Sequence, residues 1–514
     1  MRIDDLFQQP FGTLSELIHA QAEAQPDRLA AIDTQGQITY HDFDTLLDRV
    51  AAALQRDRFE ASDVGAICAT ASIPYAAAFL GVLRAGGAAA PLAPSSTADS
   101  LADMIADCGA RILFLDREVA TALAPVADRL PGLKVALDGS DAGMPFETWL
   151  AAPETPVAPV EVGPDQPFNI IYSSGTTGKP KGIVQPNSLR WAQFRRVIYT
   201  PDAVTMISTP LYSNTTLVSF LPTLANGGTA ILMPKFDAGE FLRLAERHRA
   251  THAMLVPVQY ARLMRHPDFD AYDLSSFKVK FSTSAPFAAE LKAEILRRWP
   301  GGLVEFYGMT EGGGSCMLAA HEHPDKLATV GRPMEDHDIR LIDDAGREVA
   351  PSEAGEVVGR SPAMMKGYHN QPDKTREAEW FSPEGERFIR TGDIGRFDAD
   401  GFLTLIDRKK DMIISGGFNI YPSDLEAELV RHPDVAEASV FGAPSEAWGE
   451  TPVAAVVLRP GAESDATALR AWVNGRVGKT QRLADLHIVA SLPRSPIGKV
   501  LKRELRETFA HARA

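Results

Sequence analysis

The sequence predicts an α/β fold in which the strands of a parallel sheet alternate with helices. Short apolar runs at residues 64–70 and 111–115 flank segments of helical periodicity such as residues 74–85, and this alternation is typical of βαβ units. Beyond about Glu335, short strand candidates are broken by Asp-Gly and Asp-Ala-Gly turns, which indicates a smaller, mostly β unit. From Asp411 onward the pattern is that of a compact α+β unit.

The individual elements follow from local spacing and from turn residues. Residues 14–24 and 43–54 carry apolar residues about 3.6 positions apart, which predicts two helices. The helix over residues 74–85 is predicted to end at Gly86-Gly87, since glycine commonly terminates helices. In the C-terminal part we expect strands at 436–441 and 453–458, and helices at 422–430, at 465–477 and at the C-terminus.

Composition excludes several classes of protein. The chain has 514 residues, with 52 Lys and Arg against 67 Asp and Glu and a formal charge of −15. A net negative surface repels phosphate backbones, so we expect no nucleic-acid partner. The uncharged stretches at residues 64–83 and 203–234 contain Pro, Ser and Thr, so we interpret them as buried strand–loop–helix segments and expect no membrane span.

The cysteines and the N-terminus point to the cytoplasm. Cys68, Cys108 and Cys316 are odd in number and widely spaced, which argues against a disulfide framework or a thiolate zinc site. The N-terminus lacks a basic start followed by an apolar run, as a signal peptide would have. His248 and His252 are four residues apart on a predicted helix, but without a third ligand we assign no zinc site.

The strongest motif is a loop of small residues and lysines at residues 172–182, which follows the apolar run 168–171. It reads Tyr-Ser-Ser-Gly-Thr-Thr-Gly-Lys-Pro-Lys-Gly. Small residues let backbone N–H groups approach a phosphate, and lysines add positive charge. The glycine spacing and Pro180 exclude a Walker A loop. A flexible linker is the alternative interpretation of this composition.

This loop closely resembles the phosphate-loop signature of the adenylate-forming superfamily, which includes acyl- and aryl-CoA ligases, luciferases and adenylation domains of peptide synthetases. Further segments match in the family's order and span nearly the whole chain, beginning with Leu-Arg-Ala-Gly-Gly at residues 83–87. The resemblance implies a large N-terminal domain (1–409) of doubly wound sheets plus a small β subdomain. It also implies a small mobile α+β C-terminal domain (410–514).

The resemblance assigns the ATP site. Residues 305–311 match the adenine and metal segment, which implies that Tyr307 stacks on adenine, Thr310 contacts the α-phosphate and Glu311 helps to hold Mg²⁺. The complete expected ATP-binding set is Ser173, Ser174, Gly175, Thr176, Thr177, Gly178, Lys179, Lys181, Ser284, Ala285, Pro286, Glu305, Phe306, Tyr307, Gly308, Asp393 and Arg408.

The C-terminal motifs supply a hinge and a catalytic lysine. Residues 390–393 resemble the ribose motif, in which Asp393 accepts from both ribose hydroxyls, and residues 407–411 resemble the hinge motif with Arg408 on ribose or phosphate. Lys410 is the expected pivot. The segment 493–499 resembles the catalytic motif, so Lys499, Thr310 and Glu311 are the expected catalytic residues.

The thiol site is expected to bind coenzyme A. Gly416 and Gly417 resemble the glycine loop along the pantetheine tunnel, where side chains would obstruct passage. Trp448 matches a tryptophan that stacks on CoA, and Arg482 is a candidate for a CoA phosphate. The family usually has Lys/Arg-x-Pro where this chain has Gln-Arg-Leu. The resemblance therefore does not define which residues bind the nucleotide end of CoA.

The acyl pocket is expected to bind an acid with no second charge. The segments at 212–219, 256–260, 281–284 and 312–317 contain no Lys or Arg, so a second carboxylate would lack a partner. Relatives that activate amino acids carry an acidic residue after the first aromatic of the segment at residues 210–217, where it holds the α-ammonium group. This chain has no Asp or Glu there, which argues against an amino acid as the substrate. The histidine that the family often has near Ser213 is also missing. Residues 312–314, all glycine, are expected to leave room for a ring or a chain. The expected pocket residues are Tyr212, Ser213, Asn214, Val258, Tyr260, Ser282, Gly312 and Gly313.

These assignments predict an ATP-dependent, Mg²⁺-dependent carboxylic acid–CoA ligase that acts on a fatty or an aromatic acid in the cytoplasm. The alternatives are a stand-alone adenylation enzyme that loads a carrier protein, a luciferase-like oxidase and an inactive binding protein. The chain ends shortly after Lys499, so we expect no fused carrier domain. A protein acetyltransferase that modifies Lys499 and a homodimer partner are further hypotheses.

Overall fold

The computed structural model describes residues 2–173, 181–196, 198–415, 418–445, 448–495 and 498–509. The helices are α1 (Ile3–Phe7), α2 (Leu14–Ala24), α3 (Tyr40–Arg56), α4 (Ile73–Arg84), α5 (Ala98–Asp107), α6 (Arg117–Leu123), α7 (Phe146–Trp149), α8 (Asn187–Phe194), α9 (Asn214–Ala225), α10 (Ala238–Arg247), α11 (Pro257–Met264), α12 (Ala289–Arg298), α13 (Pro372–Ala378), α14 (Pro422–Val430), α15 (Ala466–Asn474) and α16 (Lys502–Phe509).

The strands, in chain order, are β1 (Leu29–Ile32), β2 (Gln37–Thr39), β3 (Val64–Cys68), β4 (Ala88–Pro91), β5 (Ala110–Leu115), β6 (Leu133–Ala136), β7 (Met144–Pro145), β8 (Pro167–Ser173), β9 (Lys181–Pro186), β10 (Val204–Ile207), β11 (Thr229–Leu232), β12 (His252–Leu255), β13 (Val279–Ser282), β14 (Gly302–Tyr307), β15 (Cys316–Ala319), β16 (Arg332–Pro333), β17 (Asp338–Ile342), β18 (Gly355–Arg360), β19 (Gly367–Tyr368), β20 (Glu379–Phe381), β21 (Arg387–Phe397), β22 (Leu403–Arg408), β23 (Ile413–Ser415), β24 (Phe418–Ile420), β25 (Val435–Ser445), β26 (Gly449–Leu458) and β27 (Asp485–Ile488).

The chain forms two compact units, both assembled from separate chain segments. The first comprises Met1–Asp338 and Gly359–Ile389, and the second comprises Ile339–Val358 and Arg390–Ala514. This division groups residues by their contacts, whereas the boundary expected at 409/410 concerns a hinge, so that boundary stays a prediction.

The first unit holds two large sheets with helices packed against them. One has the order β16-β15-β14-β13-β12-β10-β11-β1-β2, parallel from β14 to β1, and the other has the order β19-β9-β8-β4-β3-β5-β6-β7, parallel from β8 to β7. These parallel strands with intervening helices confirm the α/β prediction. Active-site groups in such folds lie beyond the carboxyl ends of the strands.

The predicted uncharged stretches are buried, as expected. Residues 64–83 form β3 and most of α4, and residues 203–234 contain β10, α9 and β11. Helix α4 begins after Ser72, whose side chain accepts from the Tyr75 N–H, and it is followed by Gly86 at φ +80°, a backbone conformation that favours glycine. In the described part of the chain, every helix is too short or too polar to cross a membrane.

The second unit contains β strands and a small α+β layer. The strands β17, β18, β21 and β22 lie in one sheet, and β24, β23, β26 and β25 form another, with β27 parallel to β26. Helices α14 and α15 pack on this second sheet and share an apolar core with it, which includes Leu425, Leu429, Leu469 and Val473. The predicted C-terminal elements are all present, and helix α14 has the predicted limits.

The predicted placement of the histidine pair is wrong. Helix α10 ends at Arg247, and His252 is the first residue of β12. The turn at residues 248–251, which includes His248, separates the helix from the strand. The His252 ring is buried between Tyr199 and Phe281, at centroid distances of 5.1 and 6.3 Å. Burial lowers the pKa of His252 to about 4, which keeps the ring neutral.

Candidate active site

The expected metal carboxylate, Glu311, is oriented by a tyrosine. Strand β19 pairs antiparallel with β9, so that Tyr368 lies opposite Ile183. The Tyr368 hydroxyl donates to Oε1 of Glu311 at 2.8 Å, and the Met365 N–H donates to the Glu311 carbonyl at 2.8 Å. Burial and the nearby carboxylate raise the pKa of Tyr368, so the hydroxyl stays protonated and the Glu311 carboxylate keeps its donor.

Lys181 lies beside the same pair. Its Nζ is 5.1 Å from the centroid of the Tyr368 ring, a distance at which a cation and an aromatic face attract each other. Residues 174–180, which carry most of the expected phosphate loop, lie outside the described residues, as does the side chain of Ser173. Tyr172 anchors the strand before the loop, because its hydroxyl donates to Asp107 at 2.6 Å.

The adenine segment is supported from beneath by a buried ion pair. Glu305 in β14 pairs with Lys292 of α12, and these side chains are 6% and 1% exposed. Lys292 also donates to the carbonyls of Leu327 and Thr329, at 2.7 and 3.1 Å. Burial outweighs the effect of Lys292 and raises the pKa of Glu305 to about 7. The Glu305 side chain is therefore engaged in the protein interior, whereas Phe306, Tyr307 and Gly308 are more exposed.

The loop after β13 joins the expected adenine edge to the expected acyl segment. Ser284 has φ +81°, which is uncommon outside glycine. Its hydroxyl is hydrogen-bonded to that of Thr215 in the first turn of α9. Ala285 and Pro286 follow in the same loop. The structure therefore places the two predicted segments side by side at this contact.

Two residues expected in the acyl pocket are instead part of the interior. Tyr260 is 0% exposed, donates to the Phe281 carbonyl at 2.9 Å and stacks on Phe287. Ser282 is also buried, because side chains alternate along β13 and it lies on the same face as Lys280. The assignment of Tyr260 and Ser282 to the acyl pocket stays a prediction, with both side chains packed in the interior in this structure. Val258, Tyr212 and Asn214 are partly exposed, and Ser213 is buried.

The opposite face of β13 carries Phe281, which lies in a predicted wall segment but was not among the individually named pocket residues. Phe281 packs with Phe306 at 5.9 Å between ring centroids, and both belong to a cluster with Met254 and Val218. Strand alternation puts Phe281 on the face away from Lys280. Val218 and Asn214 are one helical turn apart on α9 and are both partly exposed, which identifies this face as the better candidate wall.

The glycines at 312 and 313 are required by close contacts in the direction of a side chain. A Cβ at Gly312 would lie 1.9 Å from the Ala363 carbonyl oxygen, and one at Gly313 would lie 2.5 Å from the Ile389 Cβ. The space in that direction is therefore filled by the protein's own backbone and side chains. Their assignment to the acyl pocket stays a prediction.

The ribose and hinge candidates lie in the second unit. Asp393 of β21 and Arg408 of β22 are direct cross-strand partners, and Arg408 Nε is 2.7 Å from Asp393 Oδ1. The Asp393 N–H donates to the Thr391 hydroxyl at 3.0 Å. Lys410 is exposed at the surface, and partial desolvation lowers the pKa of its ammonium group. The strand pair thus places an acceptor and a cation together.

The expected catalytic lysine stands on a tight turn. The Ser495 N–H donates to the Lys499 carbonyl at 2.8 Å, and the Lys499 N–H donates to the Ser495 hydroxyl at 3.1 Å. Gly498 has φ +80° and its carbonyl accepts from Arg494 at 2.8 Å. This turn exposes the Lys499 side chain. Nearby motif residues 496 and 497 lie outside the described residues.

The expected CoA residues are exposed in the same unit. Trp448 is 61% exposed and Arg482 is also exposed. An indole left in solvent loses the burial that normally stabilises it, and a flat ligand could restore that burial. Gly416 and Gly417 lie outside the described residues.

The donor set fits a magnesium ion that is shared with a nucleotide. Glu311 offers one half-buried carboxylate, and Mg²⁺ is commonly bound by one or two carboxylates together with phosphate oxygens. Within the described residues, no three His, Cys, Asp or Glu side chains are grouped so as to hold a metal by themselves. The remaining ligands would have to come from phosphate and water.

Comparison with known proteins identifies relatives over nearly the whole chain. The family model of the AMP-binding enzymes matches residues 18–369, and that of the AMP-binding enzyme C-terminal domain matches residues 424–499. A feruloyl-CoA synthase from an Amycolatopsis species is 33% identical over 501 residues, which cover 95% of this chain and 97% of that protein.

A second relative acts on a different thiol. A fatty acid–[acyl-carrier-protein] ligase from Streptomyces coeruleorubidus is 30% identical over 529 residues, covering 99% of this chain and 98% of that protein.

Among solved structures, the crystal structure of ATP-bound MatB from Rhodopseudomonas palustris has a TM-score of 0.87 and 29% sequence identity, and covers 97% of this chain and 100% of that chain.

Proposed function

Because the chain belongs to the AMP-binding enzyme family, in the acyl- and aryl-CoA ligase branch of the adenylate-forming superfamily, it is an AMP-forming acyl-CoA synthetase, and we propose that its substrate is an otherwise uncharged fatty or aromatic acid that it joins to coenzyme A. The observation that carries the ATP-dependent chemistry is the Glu311 carboxylate, held by Tyr368 beside Lys181 at the start of β9.

The first step activates the acid. Its carboxylate oxygen attacks the α-phosphorus of ATP, a new O–P bond forms, and the bond to pyrophosphate breaks. Lys181 and Lys499 would stabilise the negative charge that collects on the phosphate oxygens, and Thr310 would hold the α-phosphate. Mg²⁺, held by Glu311, would supply Lewis-acid neutralisation of that charge. The product is an acyl-adenylate, in which AMP is a good leaving group.

The second step transfers the acyl group to a thiol. The sulfur of CoA attacks the acyl carbon, a thioester forms, and AMP leaves with the bonding electron pair. We assign Trp448 and Arg482 to CoA and Gly416-Gly417 to the passage of its pantetheine arm. We place a hinge at Lys410 between domains 1–409 and 410–514, so that Lys499 serves the first step and the glycine loop the second.

The side chains on the candidate wall support an uncharged acyl group. Val218, Phe281 and Phe306 are apolar, and a carboxylate or ammonium on the acyl group would have no partner there. Tyr212 is partly exposed and could bond a ring hydroxyl. The relatives include a feruloyl-CoA synthase and a fatty acid ligase. The experiment therefore tests both aromatic and fatty acids.

The test is pyrophosphate release with ATP, Mg²⁺ and CoA across straight-chain, branched, alicyclic, benzoic and hydroxycinnamic acids, with chromatographic detection of acyl-CoA. We expect release and a thioester with one of these classes. The Lys499→Ala enzyme serves as the control with that acid and should not release pyrophosphate. Failure of the wild-type enzyme with every acid would contradict the proposed substrate class.

A carrier protein as the acceptor is the second candidate, and the similarity to the acyl-carrier-protein ligase favours it. The same assay separates the two. If pyrophosphate release is seen without acyl-CoA, and a phosphopantetheinylated carrier protein gains the mass of the acyl group, the acceptor is a carrier protein. If acyl-CoA forms at the rate of pyrophosphate release, the acceptor is CoA.

A further inference from the structure

Helix α8 places a fully buried arginine under the acyl and nucleotide segments. Arg190 is 0% exposed, and its neighbours are carboxamides. Nε and Nη2 donate to Asn169 Oδ1 at 3.2 and 3.0 Å, Nη1 donates to Gln193 Oε1 at 2.9 Å, and Nη2 donates to Gln185 Oε1 at 2.5 Å. Among the residues that the structure describes, no carboxylate pairs with this guanidinium.

A buried charge without a counter-charge is costly, and an apolar side chain would fill the same volume more cheaply. Burial lowers the pKa of Arg190 to about 9, which still leaves it protonated at neutral pH. The guanidinium is therefore a permanent donor surrounded by amide oxygens. We infer that its role is to fix the orientation of those amide side chains.

One of the groups it fixes is the first residue of α9. Arg190 Nη2 donates to Asn214 Oδ1 at 2.9 Å. A guanidinium has donors and no acceptor, so the Asn214 amide can face it only with its oxygen. The two Nδ2 hydrogens consequently point away from Arg190. Asn214 is partly exposed, whereas Ser213 and Thr215 on either side are buried.

The other group is in the nucleotide segment. Because Arg190 occupies the Gln185 oxygen, Gln185 presents its Nε2, which donates to the Thr310 carbonyl at 2.7 Å. A single buried cation thus sets the orientation of two amides, one at the start of the acyl segment and one behind the expected α-phosphate residue.

We propose that Arg190 is a positioning residue that locks the Asn214 carboxamide with its Nδ2 hydrogens as donors to an oxygen of the carboxylic acid substrate. The inference rests on the proposed function. It gives Asn214 the task of a hydrogen-bond donor in a segment that lacks the histidine often found near Ser213 in related ligases.

The deciding variant is Asn214→Asp. The new carboxylate would pair with Arg190 and keep the site filled, but it would have no hydrogens to donate to the acid. We expect KM for the acid to rise about tenfold to a hundredfold, as for the loss of a hydrogen bond to a charged group, with KM for ATP unchanged. An Asn214→Asp enzyme with the wild-type KM for its acid would overturn the proposal.

Variants at Arg190 test the positioning role. Arg190→Met removes the charged donor from both amides and leaves them only the Asn169 Nδ2 bond to Gln185 Oε1 at 3.0 Å and the Gln185 Nε2 contact to Asn214 Oδ1 at 3.5 Å, so KM for the acid and KM for ATP should both rise. Arg190→Lys keeps a charged donor and should partly restore both. Gln193→Ala removes a contact of Arg190 while leaving Asn214 and Gln185 in place, and should match the wild type. A folded Arg190→Met enzyme that melts at a lower temperature with both KM values intact would show a purely structural arginine and refute the role.

The comparison uses an acid for which the wild-type enzyme releases pyrophosphate. Failure of the proposed function therefore appears in the wild type, and failure of this inference appears only in the variants. If the buried Arg190 variants do not fold, the partly exposed Asn214 variant decides the matter alone.

Discussion

At the residue scale, the hydroxyl of Tyr368 is the clearest support of a catalytic group. Tyr368→Phe removes the donor to Glu311 and keeps the ring beside Lys181. We expect the Mg²⁺ concentration for half-maximal rate to rise about tenfold to a hundredfold, the range for the loss of one hydrogen bond to a charged group. Magnesium titrations of pyrophosphate release measure this.

The matched control is Tyr40→Phe. It removes a buried hydroxyl that donates to the carbonyls of Leu224 and Gly228, far along the chain from the nucleotide motifs. Its Mg²⁺ dependence should equal that of the wild type even if its melting temperature falls. Equal Mg²⁺ dependence in both variants would contradict the role of Tyr368.

Lys280 predicts a pH dependence of stability. Its Nζ donates to the carbonyls of Trp299, Pro300 and Gly301 at 3.2, 2.6 and 2.8 Å, and burial lowers its pKa to about 7. Above that pH the unfolded chain binds a proton that the folded protein has released, so the free energy of unfolding should rise by about 2 kcal/mol from about pH 7 to pH 9. Thermal melts of Lys280→Met should lack this rise. A variant with the wild-type slope would refute it.

At the scale of elements, the tight backbone around β14 and the following loop limits substitution. Gly312→Ala would place its Cβ 1.9 Å from the Ala363 carbonyl at φ +75°. Overpacking and backbone strain together should reduce the free energy of unfolding by about 3 kcal/mol. Urea denaturation followed by intrinsic fluorescence measures this.

Gly385→Ala is the matched control for the same backbone strain. Gly385 has φ +85°, but no atom lies within 4 Å of its Cβ position. We expect a loss of about 1 kcal/mol from the strain alone. If both variants lose the same amount, the contact with Ala363 is not what requires glycine at 312.

Element limits were predictable where local signals are strong. The helix limits Leu14–Ala24 and Pro422–Val430 match the predicted ones, and the structure shows strong local signals there, the Thr13 cap and Pro422 in the first turn. The burial of Ser282 could not be predicted, because proximity to a strand end does not reveal which face a side chain occupies. The register of β13 against its neighbours decides that, and it depends on long-range pairing.

The network around Arg190 could not have been predicted from spacing either. Its partners Asn169, Gln185 and Asn214 come from β8, β9 and α9, and each is an unremarkable polar residue in the sequence. The available signal was an arginine within the mostly apolar segment Leu-Arg-Trp of α8. Such a residue must find partners or remain at the surface, and the sequence does not show which.

At the scale of the whole molecule, the proposed role of Lys499 makes the first step depend on a residue of the second unit. Lys499→Gln mimics acetylation and removes the charge. We expect the adenylation rate to fall about a hundredfold or more, while thioester formation from a chemically prepared acyl-adenylate continues. The half-reactions are measured separately, and full adenylation by Lys499→Gln would contradict both the assignment of Lys499 and control by an acetyltransferase.

The filled space at Gly312 and Gly313 has a practical consequence for anyone who wishes to change the acid that this enzyme accepts. Libraries that randomise these glycines would mostly yield misfolded protein, because the neighbouring carbonyl and isoleucine leave no volume to exchange. Variation is better placed at Val218, a partly buried apolar side chain on the candidate wall. Selectivity and foldability can then be tuned at separate positions.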